Sequence, residues 1–239
     1  MKPPTLIPTT KRTPVPACLL ALALVAIPPA VGETVISSGH VDIGLGYASG
    51  AFDLHVHQEE PFEAEFEPSE VLLRLGPASQ TSAPGGAFSF LGPVGSPVWI
   101  LPATEVEGLP FLGFGTEELD PADWTGNLTL TLQAVSGPGT FSLWDVNAFG
   151  SPQLLMSNHD GIGAGEALHR PAGSHGHYNL GFTQPGIYGL TFEASGTHAT
   201  DGPRLSGPVE YRFEVVPEPH EYALLGLGLA ALLWVRRRR

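Results

Sequence analysis

Eight of the nine histidines fall between Glu33 and Val216, a segment with four arginines and no lysine. Six residues stand out by type and spacing: His40 and Asp42, His55 and His57, and His175 and His177, each pair separated by one residue. On a β-strand, positions i and i+2 project from the same face, about 6.6–7 Å apart along the backbone. Two imidazoles so placed can converge on one ion, and neutral imidazole suits zinc, copper, iron or nickel. The only cysteine, Cys18, lies in an N-terminal apolar run, so the body has no thiolate and no disulfide to offer. A site built from histidine with Asp or Glu is the transition-metal chemistry left to this chain, with zinc or copper as the expected ion. The same pairs would serve equally well as hydrogen-bonded surface residues, and the sequence does not say whether they meet. His159, His169 and His198 lie in glycine-rich stretches and read as ordinary surface residues.

Signals for catalysis are missing. The chain has no Gly-x-Ser-x-Gly elbow, no His-Glu-x-x-His and no phosphate loop. Gly161-Ile162-Gly163-Ala164-Gly165 lacks the spacing of a dinucleotide fingerprint. A non-catalytic binding or structural role is therefore expected, with a carbohydrate-binding module or hydrolase as the alternative. For that alternative, Trp99, Trp124 and Trp144 would have to be exposed to stack sugars, whereas at strand positions they read as core.

The elements that must position these residues are strands. Glycine and proline contribute 30 and 24 of 239 residues, too many for a helical bundle. Short β-rich runs recur between Gly/Pro turns: Val41–Tyr47, Phe52–His57, Val71–Leu75, Val98–Leu101, Leu128–Val135, Phe141–Val146, Asn179–Thr183, Ile187–Ala194 and Val209–Val215. Leu128-Thr129-Leu130-Thr131-Leu132 alternates strictly, leucines to one side and threonines to the other. Gly137-Pro138-Gly139 and Gln184-Pro185-Gly186 are predicted to join neighbouring runs as hairpins. The helical period is absent apart from one turn at Glu117–Leu119. The expected fold is all-β, an antiparallel two-sheet β-sandwich spanning residues 33–215. The acidic stretch Glu59–Glu67 reads as an exposed edge strand or loop, where charge and proline discourage strand addition.

Charge narrows the partners. With four arginines against 22 acidic residues, Glu33–Val216 carries a formal charge of −18. Such a body attracts cations and repels phosphate backbones, which excludes nucleic acid.

The ends read as sorting segments. Residues 1–32 combine Lys2, Lys11 and Arg12, the apolar run Cys18–Ile27 and small residues at Ala30 and Gly32, as in a secretory signal peptide. At the other end (216–239), Pro217-Glu218-Pro219 precedes the apolar stretch Tyr222–Val235 and the terminal Arg236, Arg237, Arg238 and Arg239. Fourteen residues cover about 21 Å as a helix, short of a hydrocarbon core near 30 Å, so flanking arginines must snorkel. This order resembles the PEP-CTERM sorting signal. The resemblance implies a Gram-negative bacterial host and export past signal peptidase. It further implies a transient inner-membrane anchor through a short transmembrane helix, cleavage by exosortase, and delivery to the cell surface or an extracellular polysaccharide matrix.

The body carries a second resemblance. In order along the chain stand Gly39-His40-Val41-Asp42-Ile43-Gly44, Phe90-Leu91-Gly92, Pro97-Val98-Trp99-Ile100-Leu101-Pro102 and Gly113-Phe114-Gly115-Thr116-Glu117. Gly137-Pro138-Gly139-Thr140-Phe141-Ser142-Leu143-Trp144, His175-Gly176-His177-Tyr178-Asn179-Leu180-Gly181-Phe182-Thr183 and Gly186-Ile187-Tyr188 follow. Together they resemble the choice-of-anchor M domain of bacterial surface proteins, with Leu180 where that family usually has tryptophan. Members carry varied C-terminal anchors, and some are encoded beside metal-type ABC transporters, which implies a metal or cofactor role.

Overall fold

A computed structural model describes residues 33–217 and residue 236. The expected signal peptide over 1–32 lies outside the described residues, as do Glu218, Pro219, the apolar stretch and Arg237–Arg239 of the sorting signal. Among the described residues, no helix is long and apolar enough to cross a membrane.

Sixteen strands appear among the described residues. The first eight are β1 (Thr34–Ile36), β2 (Gly39–Ala48), β3 (Ala51–Gln58), β4 (Ala64–Phe66), β5 (Val71–Leu75), β6 (Gln80–Ser82), β7 (Pro97–Leu101) and β8 (Pro110–Gly115). The rest are β9 (Leu128–Ser136), β10 (Phe141–Val146), β11 (Pro152–Ser157), β12 (Ala167–Arg170), β13 (His175–His177), β14 (Asn179–Phe182), β15 (Gly186–His198) and β16 (Gly202–Val215). All nine runs picked out by alternation are strands, and the fold is all-β.

The strands pair into three sheets, where two were expected. Sheet I has the order β1-β5-β16-β15-β9-β12, sheet II β11-β10-β14-β7-β6, and sheet III β13-β8-β2-β3-β4. Pairing is not wholly antiparallel either: β1–β5, β5–β16 and β2–β8 run parallel. The two predicted hairpins are corrected as well. Gly137-Pro138-Gly139 carries the chain from β9 in sheet I to β10 in sheet II, and Gln184-Pro185-Gly186 carries it back from β14 to β15. A Gly-Pro turn reverses direction, but the faces to be buried decide which sheet receives the next strand. Glu117–Leu119, the one candidate helical turn, is an ordinary turn.

One apolar core joins the sheets. Sheet I contributes Leu130, Leu132, Phe192 and Phe213, sheet II Phe141, Leu143, Leu180 and Phe182, and sheet III Val41, Ile43, Val56 and Phe114. Phe182 of β14 meets Phe213 of β16 at 5.6 Å between ring centres, and Phe114 of β8 meets Phe192 of β15 edge-on at 6.4 Å. Trp99, Trp124 and Trp144 are all buried.

Sheet III places the histidines. Its inner face buries Val41, Ile43 and Leu45 of β2, Leu54 and Val56 of β3, and Leu112 and Phe114 of β8. Alternation then turns His40, Asp42 and Gly44 of β2, His55 and His57 of β3, and Phe111, Gly113 and Gly115 of β8 to the other face. The β2–β3 hairpin sets the register. Ser49 and Gly50 both take positive φ, 55° and 82°, and so form a two-residue reversal between the paired Ala48 and Ala51. Counting back from that turn pairs Gly44 with His55 and Asp42 with His57.

Candidate metal centre

His175 and His177 enter this face from a strand more than 130 residues away. β13 pairs with β8, so that His175 lies opposite Gly115 and His177 opposite Gly113; β8 in turn pairs Gly113 with Asp42 and Gly115 with Gly44. Buried Thr116, just past β8, holds the turn that delivers β13. Its Oγ1 donates to the Pro171 carbonyl at 2.7 Å and accepts from Ser174 N–H at 3.1 Å, while its backbone N–H donates to the Ser174 carbonyl at 2.8 Å.

His40, His175 and His177 converge. Each offers a ring nitrogen, and these atoms lie within 4.8 Å of one another. Ring centres are 5.2 Å apart for His40–His175, 5.1 Å for His40–His177 and 4.6 Å for His175–His177. Ligands on a tetrahedral zinc, with bonds near 2.1 Å, are about 3.4 Å apart, so small side-chain rotations bring three nitrogens onto one ion. Asp42 closes the arc, its Oδ1 being 2.9 Å from His175 Nε2 and 3.6 Å from His40 Nε2.

The outer contacts orient the rings. His177 Nδ1 is 3.0 Å from the Leu112 carbonyl. A carbonyl only accepts, so Nδ1 carries the proton and Nε2 presents its lone pair. His40 Nδ1 is 2.6 Å from Glu59 Oε2, while its Nε2 is buried without a hydrogen bond. Metal-ligating histidines are held in this way, one nitrogen on a carboxylate or carbonyl and the other on the ion. Phe111 stacks on His177 with ring centres 3.6 Å apart and planes at 8°, which fixes the tilt of that imidazole.

Electrostatics favour the neutral ligand. Burial, with the neighbouring His175 and His40, lowers the pKa of His177 below its ordinary 6.5, against the opposing pull of the Leu112 carbonyl and Asp42. A lowered value leaves the ring unprotonated at neutral pH, as coordination requires.

Glycine makes the room. A Cβ on Gly113 would overlap Asp42 Oδ1 and His175 Nε2, and one on Gly44 would overlap His55 Nε2. The imidazoles lie down over bare backbone.

The remaining candidates sit elsewhere on the same face. His55 is buried over Gly44, its Nε2 3.1 Å from Glu118 Oε1 and 3.4 Å from Glu65 Oε1. His57 lies beside it, ring centres 6.4 Å apart, and belongs to neither group. The sequence reading passed over Glu59, Glu65, Glu118 and Thr116. Glu59 and Glu65 sit inside the stretch read as a charged edge, and β4 is indeed an edge strand there. Their one signal was proximity in sequence to strands already carrying histidine. His169 is exposed and bonds Thr129 at 3.0 Å, while His198 stacks on Tyr47 at 4.9 Å, so neither joins a cluster. No family model matches the chain, and neither the curated proteins nor the solved structures contain a match.

Proposed function

We propose that this chain is an exported bacterial surface or matrix protein whose all-β body binds a divalent transition-metal ion, zinc or copper, without catalysing a reaction. His40, His175 and His177 hold the ion, and Asp42 either adds a fourth ligand or braces His175. The observation that carries the reading is the convergence of three imidazoles from two distant parts of the chain, two of them with their outer nitrogens already occupied. The formal charge of −18 on the body concentrates cations at its surface. Export and surface delivery rest on the signal-peptide pattern and the PEP-CTERM resemblance of the two ends. The sugar-binding alternative loses its aromatic platform, because Trp99, Trp124 and Trp144 are packed inside.

Titration of the purified protein with Zn(II) and Cu(II) by calorimetry, beside a His175→Ala/His177→Ala variant, tests the reading. One ion is expected at this centre in the parent, with affinity falling by at least about 100-fold in the variant. Equal affinity in both proteins refutes the centre.

A further inference from the structure

The geometry points to a second, chemically different cation site on the same face, formed by His55, Glu65 and Glu118 and suited to a harder divalent ion such as Mn(II). It shares no ligand with the three-histidine centre. The ligand atoms of these three residues lie within 4.8 Å of one another and come from three elements: β3, β4 and the turn after β8. The His55 side chain is only 5% exposed, yet neither of its ring nitrogens makes a hydrogen bond. A buried polar atom without a partner is costly, so an orphaned imidazole calls for an explanation. Here its Nε2 faces two carboxylate oxygens at 3.1 and 3.4 Å. One imidazole nitrogen holds at most one proton and can serve one of these oxygens, while the two carboxylates repel each other. A divalent cation at their centre satisfies the nitrogen lone pair and both charges together.

The surroundings are shaped for it. Gly44 leaves room for the His55 ring, and Glu118 lies across Gly46, where a Cβ would stand 2.9 Å from its Oε2. Asp53, Glu67 and Glu70 rim the cleft beside His55 and Glu65, adding negative potential at the entrance. On the other side, a cleft of about 80 Å³ lined by Asp42, His55, His57 and Glu118 runs toward the first centre, with room for water ligands. One imidazole with two carboxylates is an oxygen-rich donor set that favours Mn(II) over the softer ions a three-imidazole set prefers.

Mn(II) titration followed by the EPR signal of the free ion separates the two centres. The carboxylates are about half exposed, so Glu65→Gln/Glu118→Gln keeps shape and fold, unlike replacement of buried His55. The parent is expected to remove Mn(II) from solution; Glu65→Gln/Glu118→Gln should weaken this at least tenfold, whereas His175→Ala/His177→Ala should leave it within about twofold. Zinc binding at the three-histidine centre should survive in Glu65→Gln/Glu118→Gln, which also shows that this variant is folded. Failure of the parent to bind Mn(II), or equal Mn(II) affinity in parent and glutamine variant, overturns the second site and leaves the first untouched. Loss of zinc binding in His175→Ala/His177→Ala with Mn(II) binding retained supports two independent centres; loss of Mn(II) binding in that variant refutes their independence.

Discussion

Gly113→Ala offers a sharp test of the three-histidine centre, because it separates the site from the fold. Gly113 lies between Asp42 on β2 and His177 on β13, on the outward face of β8. Its backbone conformation is one that alanine adopts without strain, and the atoms nearest to the new methyl group are side-chain ends. A Cβ there overlaps Asp42 Oδ1 and His175 Nε2 and stands 3.1 Å from His175 Cδ2. Comfortable heavy-atom contacts are about 3.5–4.0 Å, so the imidazole must retreat by more than about 1 Å. Metal–nitrogen bonds tolerate about 0.2 Å. One of three imidazoles is thereby lost, together with the Asp42 contact that orients it. Removing an outer contact alone costs about 10- to 100-fold in affinity, so the loss here should reach at least 100-fold, or about 2.7 kcal/mol. Alanine in a strand interior is about 0.5–1 kcal/mol better than glycine, so stability without metal should stay within about 1 kcal/mol of the parent. Zinc calorimetry and urea denaturation in chelator read the two quantities independently. A folded Gly113→Ala protein that binds zinc as tightly as the parent would refute the assignment of His175.

Three further outcomes are expected. Because His177 titrates below its ordinary 6.5 in the fold, the folded state binds fewer protons than the unfolded state between these two values. The contribution of His177 to the stability of the metal-free protein is therefore fully present above pH 6.5 and is lost as pH falls below it; urea midpoints from pH 7.5 to 5.0 should fall less steeply toward acid pH in His177→Gln than in the parent. Phe182→Ala removes a fully buried ring that touches Phe141 at 5.5 Å, Tyr188 at 4.8 Å and Phe213 at 5.6 Å, and should cost about 3–5 kcal/mol in chemical denaturation. In an exosortase-bearing host, mass spectrometry of surface material should lack the Tyr222–Arg239 peptide, whereas recovery of that peptide in the mature form would indicate a simple membrane anchor.

What the sequence reveals about this fold follows from range. Strands are local: Leu128-Thr129-Leu130-Thr131-Leu132 buries its leucines and half-exposes its threonines along one strand, as its alternation demands. The facing of each histidine pair is equally local, set by the two-residue period. Pairing between sheets is not. That β2 would run parallel to β8, and β8 antiparallel to β13, depends on packing between segments more than 50 residues apart, and no motif encodes it. For the same reason the sequence did not assign the candidate residues between the two groups. His40 belongs with His175 and His177 because β8 bridges their strands, whereas His55 belongs with Glu65 and Glu118 because Gly44 opens the space above β2 toward it. Glutamates in an acidic run carry no mark to distinguish a ligand from a solvated edge.

The glycines of sheet III did carry a usable mark. Gly44, Gly113 and Gly115 occupy outward positions on two adjacent strands, and two of them lie in the row that links His175 to His55. Each glycine in a strand costs about 0.5–1 kcal/mol relative to alanine and leaves no side chain to cover the sheet. On an ordinary exposed face this is a defect without return. Here the bare backbone is what lets His175 and His55 lie flat and aim their nitrogens along the sheet instead of out into water. An imidazole standing upright on a strand meets a neighbour two residues away; one lying over glycine reaches across to the next strand. That reach turns pairs of histidines, each unremarkable alone, into groups of three ligand atoms, and it gives a reason for the two glycines that lie between His175 and His55 in the cross-strand row His175, Gly115, Gly44, His55.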